Sequence, residues 1–209
     1  MSKNIPRRIL ALGAHPDDIE IGCGGTLMRY ADLGSEVYLY IATKGEKGGD
    51  PMVRAREAER SADRMGANDV IWGGFIDCEI PWGLLLIQNI EKAVKRFDPD
   101  MVFVHYSNDT HQDHRGVAMA AQSAARRVPD FLFYESPTTQ EFIPTVYCDI
   151  QPTITKKVEL LECHFSQVAR TNIEGLPIMD IARSSAMRRG MEIHKRYAEG
   201  FKTTRFLLL

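Results

Sequence analysis

Short apolar runs alternate with helix-period segments over the first two-thirds of the chain. Ile9 to Ala14, Glu36 to Ala42, Asp69 to Trp72, Met101 to His105 and Phe131 to Tyr134 read as strands. Between them, Ile19 to Leu33, Met52 to Met65, Leu84 to Phe97 and His111 to Arg127 read as helices, with Gly34, Gly66 and Pro99 as stops. Strands that recur only after a helix pair in parallel, each crossover laying a helix on the sheet. The expected fold is therefore α/β: a Rossmann-like, doubly wound, mostly parallel sheet with helices on both faces. Right-handed crossovers give it the strand order 3-2-1-4-5. Gly73-Gly74 is read as the end of the third strand, with 75–83 a loop. Further on, Thr145 to Ile150 reads as a strand. Thr155 to Cys163 and Met179 to Glu199 read as helices, with Gly190 a candidate break. Arg205 to Leu209 reads as a short strand or packed end.

At 209 residues and 44% hydrophobic content, the chain suits one globular domain over 1–209 with a sizeable core. A formal net charge of -2 and no basic run exclude a nucleic-acid footprint. No apolar stretch approaches the roughly 20 residues of a membrane span. Residues 1–8 hold Lys3, Arg7 and Arg8, but a strand follows them in place of a signal-peptide apolar region. The expected compartment is the cytoplasm. Cys23, Cys78, Cys148 and Cys163 are far apart and form no C-x-x-C pair. They are expected to be small, mostly buried apolar residues.

The first strand ends abruptly in His15-Pro16-Asp17-Asp18. The fourth ends just before His111-Gln112-Asp113-His114. Pro and Asp at a helix start are also ordinary capping chemistry, so neither motif alone is decisive. In the order 3-2-1-4-5, however, strands 1 and 4 are neighbours and their ends flank the crevice where such sheets bind ligands. Two motifs rich in His and Asp then face one another, the donor set a divalent metal needs; a catalytic zinc takes three protein ligands and an open position. Adjacent residues such as Asp17 and Asp18 rarely both reach one ion without strain. One is expected to ligate and the other to stay free for proton transfer.

These residues resemble the LmbE/PIG-L-like zinc-dependent N-deacetylases. The resemblance rests on Ala14-His15-Pro16-Asp17-Asp18 and His111-x-Asp113-His114. It extends to Arg54-x-x-Glu57 with Met65-Gly66, to Ser166-Gln167 and to Tyr197-Ala198-Glu199 with Phe201, spanning nearly the whole chain. It implies one Zn2+ per chain held by His15, Asp18 and His114, with another divalent metal such as Fe2+ admissible. It implies Asp17 as the base that takes a proton from a metal-activated water attacking the amide carbonyl. His111 stabilises the oxyanion or protonates the leaving amine, and Arg54 binds substrate. Asp113 belongs to the catalytic set, as a participant or as the carboxylate that orients a histidine. The implied substrate is a small N-acetyl amino-sugar conjugate of the N-acetylglucosamine type, with no membrane and no nucleic-acid partner; a homo-oligomer is compatible.

Other residues have plainer readings. His105 is expected to be a satisfied, half-buried histidine, and His164 and His194 structural or solvated. Gly22-Cys23-Gly24-Gly25 lacks the dinucleotide spacing and falls inside a helix. The Gly-rich loop after strand 2, Asp77, Asp109 and Tyr134-Glu135-Ser136 lie where they can border a cleft. Trp72 and Trp82 suit core or loop packing, or stacking on a sugar. The competing functions are a non-haem iron oxygenase using His15-x-Asp17…His114 and a non-catalytic metal- or sugar-binding module. A ligand set built on Asp18 instead of Asp17 separates the first of these from a deacetylase.

Overall fold

The computed structural model describes residues 5–171 and 173–206. A seven-stranded sheet runs in the order β3-β2-β1-β4-β5-β7-β6. Its parallel part comprises β1 (Arg8–Gly13), β2 (Glu36–Thr43), β3 (Asp69–Phe75), β4 (Met101–His105) and β5 (Asp130–Tyr134). The helices between them are α1 (Asp18–Asp32), α2 (Pro51–Met65), α3 (Leu84–Phe97) and α4 (Gln112–Ala124). The expected order 3-2-1-4-5 is the order found, with β1 and β4 in register from Ile9↔Met101 to Leu12↔Val104.

Alternate residues of one strand feed two cores. Leu10, Leu12 and Ala14 pack with Leu86 and Ile90 of α3 and with Val117 and Ala121 of α4. Ile9 and Ala11 pack on the opposite face with Ile19, Cys23 and Leu27 of α1, Ala58 and Met65 of α2, and Leu160. A strand buried on both faces has no reason to alternate polar and apolar, which is why these runs are apolar throughout.

Three boundaries differ from expectation. β3 does not stop at Trp72; it continues through Gly73-Gly74 to Phe75. A side chain at Gly73 would press on the Tyr40 hydroxyl and the Ala42 backbone, so the glycine permits close pairing and does not break it. The last helix, α6 (Ile178–Glu192), ends seven residues before Glu199. Gly190 lies within its final turn, where Lys195 and Arg196 fold back too closely for a Cβ and the Lys195 N–H bonds the Gly190 carbonyl. After this turn, β7 (Ala198–Arg205) inserts antiparallel between β5 and the edge strand β6 (Val146–Asp149). Residues 198–205 carry Glu, Gly, Lys and Thr and show no strand periodicity; Phe201, packed on Phe103 at 5.1 Å, and the two flanking strands impose the conformation. The expected end segment 205–209 lies mostly outside the described residues. α5 (Ile154–Glu162) matches its expected span within a residue. Among the described residues, no helix is long and apolar enough to cross a membrane.

Candidate metal centre

The ends of β1 and β4 do face one another. Asp18, the first residue of α1, turns its carboxylate back into the crevice. Its Oδ2 accepts the backbone N–H of Ala14 (3.1 Å) and His15 (2.7 Å). The same carboxylate stands 3.3 Å from His15 Nδ1, 3.3 Å from His114 Nε2 and 3.1 Å from His105 Nε2. All four side chains are buried.

Each predicted histidine ligand has its other ring nitrogen engaged by buried carboxylates. His15 Nε2 lies 3.0 Å from Asp77 Oδ1 and 3.2 Å from Asp113 Oδ2. His114 Nδ1 lies 3.3 Å from Asp109 Oδ2 and 3.4 Å from Ser136 Oγ. A carboxylate on one nitrogen fixes the tautomer and ring direction and leaves the other nitrogen's lone pair for a metal. These contacts leave Asp18, His15 and His114 as candidate donors to a divalent ion, although no mutually close donor group among the described residues unites all three. Two overlapping groups offer mutually close donor atoms, His15–His111–His114 and Asp18–His105–His114, and His114 belongs to both.

The buried carboxylates of the cluster favour positive charge on two of its histidines. Burial opposes charge on His15, but bonds to Asp113, Asp18 and Asp77 raise its pKa well above the ordinary histidine value. Burial likewise opposes charge on His114, but Asp18 and Asp109 raise it to about 9. Against the penalty of burial, the His114 and His105 imidazoles hold Asp18 well below the carboxylate range. A metal ion bound at this place would displace protons.

Asp17 stands apart. It occupies the N-cap of α1 with φ 98°, but its side chain caps no backbone N–H. The plain capping explanation for the motif thus fails. Its Oδ2 lies 3.6 Å from Arg54 Nη2. Burial raises its pKa to about 6, with Arg54 opposing and Asp18 adding to the rise. The carboxylate between the two histidines is Asp18; the geometry does not assemble the Asp17-based triad.

Arg54, which the resemblance assigns to substrate binding, lies beside Asp17. It is buried, donates to the carbonyls of Gly45 (2.8 Å) and Pro16 (2.8 Å), and ties the Gly-rich loop to the Asp17 turn. A Cβ at Gly45 or Gly48 would run into its guanidinium, which accounts for glycine at both positions. Glu57, one turn on, does not pair with Arg54; it accepts the Ser166 N–H (2.8 Å) and hydroxyl (2.6 Å). Gln167 then reaches the Gly48 carbonyl at 3.3 Å. The Arg-x-x-Glu and Ser-Gln pairs are thus one buried brace beneath the loop.

His111 caps α4 by accepting the Asp113 N–H at Nδ1, 3.2 Å away. Burial, His15 and His114 lower its pKa; with Nδ1 accepting, the neutral ring carries its proton on Nε2. Asp113 orients His15, not His111, and also accepts the Cys78 N–H at 2.7 Å.

The sequence placed Asp77 and Asp109 near a cleft but did not show what they or His105 contact. His105 is not half-buried; it is fully enclosed, stacked on His114 at 3.9 Å, and burial lowers its pKa to about 4. Asp77 and Asp109 are the partners of the two histidines; the one signal that points to them is a carboxylate in a loop directly after a strand. Cys78 is not a buried apolar residue but exposed on the rim with φ 65°. His164 is buried against Glu20 Oε1 at 3.0 Å, and His194 is exposed, so both have the structural or solvated settings expected. Trp82 is exposed beneath Arg115, and Trp72 is half-buried against the core.

Comparison with known proteins gives the family and the fold. The Escherichia coli K12 protein described as "Uncharacterized deacetylase YaiS" is 34% identical over 174 residues, covering 79% of this chain and 94% of that protein. The N,N'-diacetylchitobiose deacetylase of Pyrococcus horikoshii superposes with a TM-score of 0.82 at 25% identity, over 95% of this chain and 84% of that one. The fold also carries other chemistry: GalB, a 4-carboxy-2-hydroxymuconate hydratase of Pseudomonas putida, superposes with a TM-score of 0.84 at 19% identity, over 97% of this chain and 98% of its own. The family model described as "PIG-L: GlcNAc-PI de-N-acetylase" matches residues 10–125, the stretch that brings both His/Asp motifs together, and the chain belongs to that family.

Proposed function

We propose that this chain, read as a single domain over 1–209, is a zinc-dependent N-deacetylase. It removes the acetyl group from a small N-acetylglucosamine-type conjugate. The observation that supports the reading is the division between adjacent carboxylates: Asp18 stands 3.3 Å from both His15 Nδ1 and His114 Nε2, while Asp17 Oδ2 lies 3.6 Å from Arg54 Nη2. One ligates and one is left as a base.

His15 Nδ1, Asp18 and His114 Nε2 would hold the ion. When bound, zinc supplies Lewis acidity at the amide carbonyl and makes water a nucleophile near neutral pH. Asp17, with its pKa near 6, is ionised at pH 7 and takes the proton of the attacking water. The same carboxyl returns that proton to the departing amine nitrogen. His111 Nε2–H donates to the carbonyl oxygen as it becomes anionic, a role for a neutral imidazole. Asp77 and Asp113 hold His15; Asp109 and Ser136 hold His114. Arg54 serves the substrate chiefly by fixing the Asp17 turn and the Gly45 loop.

The test is to incubate the zinc-loaded chain with a panel of N-acetyl amino-sugar conjugates and follow free amine and acetate by mass spectrometry. Acetate release from at least one sugar, abolished in Asp17→Asn with zinc retained, is expected. Loss of zinc in parallel with activity in that variant makes Asp17 a ligand and overturns the assignment. No release from any conjugate overturns the substrate class.

A further inference from the structure

We propose that Asp77, Cys78 and His111 form a second metal-ion site on the rim of the crevice, one that takes a borderline divalent cation such as Zn2+ or Co2+ through a thiolate. Their donor atoms lie within 4.8 Å of one another. Three donors around one zinc ion stand roughly 3.3–3.8 Å apart, so small side-chain rotations close the triad. Cys78 Sγ is already 3.4 Å from Asp77 Oδ1. The thiol is exposed, so an ion reaches it from solvent.

The backbone holds the thiol there. The Cys78 N–H is fixed to Asp113 Oδ2 at 2.7 Å, and the residue has φ 65°, a conformation that glycine adopts freely and cysteine does not. Asp77 is tied on its other side by the Lys47 N–H to Oδ2 at 3.0 Å. A further acceptor stands beside the cluster: Asp113 Oδ1 is buried and has no hydrogen-bond partner. Thiolate, imidazole and carboxylate together select zinc, cobalt or cadmium over magnesium or calcium.

The two sites are not equivalent. On binding, the Cys78 S–H bond breaks, a metal–sulfur bond forms and the proton leaves to solvent, with no change of oxidation state. His111 must give up either its cap on Asp113 or its Nε2 proton. Asp77 is shared with His15. The rim site therefore fills after the Asp18 site. It also withdraws His111 from the crevice, so on the deacetylase reading above an excess of zinc slows turnover.

The experiment titrates the chelator-stripped full chain with Co2+ and follows absorbance, beside Cys78→Ser and Cys78→Gly. The first equivalent is expected to give visible bands without sulfur-to-cobalt charge transfer, because the Asp18 site has only nitrogen and oxygen donors. The second equivalent is expected to add a near-ultraviolet charge-transfer band and to slow alkylation of Cys78 at least tenfold. Both variants should keep the first phase and lose that band. A band arriving with the first equivalent, no band at two equivalents, or variants titrating like the parent chain overturns the rim site. A chain that deacetylates but shows no thiolate band refutes this site alone; a thiolate band in a chain that releases no acetate refutes the deacetylase reading alone.

Discussion

Lys157 and Glu199 form a buried ion pair, 2.5 Å apart, inserted into the middle of α1. Lys157 Nζ donates to the Ile21 carbonyl at 2.8 Å. Glu199 accepts the N–H of Gly25 at 2.9 Å and of Thr26 at 2.7 Å. Ile21 and Gly25 are an i, i+4 pair, so the side chains stand where a helical hydrogen bond would run. Gly25 makes room for the pair, since a methyl there would stand 3.1 Å from Glu199 Oε1 and 2.9 Å from Ile150; a methyl at Gly22 would overlap the Tyr134 ring. Glu199→Gln is the informative change. It leaves an ammonium buried with one carbonyl partner, and an amide that can accept only through one oxygen where three donors converge. Removing one partner of a buried pair costs about 3–5 kcal/mol, a large share of a typical 5–15 kcal/mol domain stability. Lys157→Met leaves Glu199 its two backbone donors and should cost less, about 2–3 kcal/mol. The double variant buries no charge, so its loss should fall short of the sum by about 2 kcal/mol. Urea unfolding of the three variants and the parent, with the slope m unchanged, measures this directly. A double variant additive within about 0.5 kcal/mol, or Glu199→Gln costing under about 1 kcal/mol, refutes the inserted pair as an energetic unit.

Other outcomes follow from the site. His114→Ala should lose most bound zinc and most activity, and Asp109→Asn, which keeps the ligand but not its carboxylate partner, should weaken zinc binding about 10–100-fold in a chelator competition; unchanged zinc content in His114→Ala rejects that ligand. Asp17→Asn in zinc-loaded protein should keep zinc while turnover falls about 10²–10⁴-fold. In the chelated chain the folded carboxyl has its pKa raised to about 6, so its buried charge destabilises at high pH; Asp17→Asn should gain about 2–3 kcal/mol above pH 6, a gain that disappears as pH falls through 4. A gain independent of pH in paired thermal melts rejects the buried-charge account. Arg54→Ala should lower kcat/KM while leaving zinc content intact, and Arg54→Lys should restore little of it, because one ammonium cannot hold both the Pro16 and Gly45 carbonyls; restoration to near parent rates refutes the bracing geometry.

The alternation of apolar runs and helical segments determined the parallel sheet, its order through the fifth strand and the meeting of His15-Pro16-Asp17-Asp18 with His111-x-Asp113-His114 across β1 and β4. These follow from local periodicity and the fixed hand of crossovers, which any stretch of chain carries within itself. The different surroundings of Asp17 and Asp18 were not legible: Asp18 meets the histidines and Asp17 meets Arg54 only in the folded chain. What only the tertiary structure decided are pairings between residues far apart in sequence and without periodic signal. Asp77 reaches His15 across 62 residues, and Glu199 reaches Gly25 across 174. The burial of Arg54 and Glu57 was hidden for the same reason, since a charged pair one turn apart looks solvated until a loop folds over it. β7 is the clearest case: a polar segment following a helix becomes a sheet strand because β5 and β6 leave it a hydrogen-bonding slot, and that slot exists only once the rest of the sheet has formed.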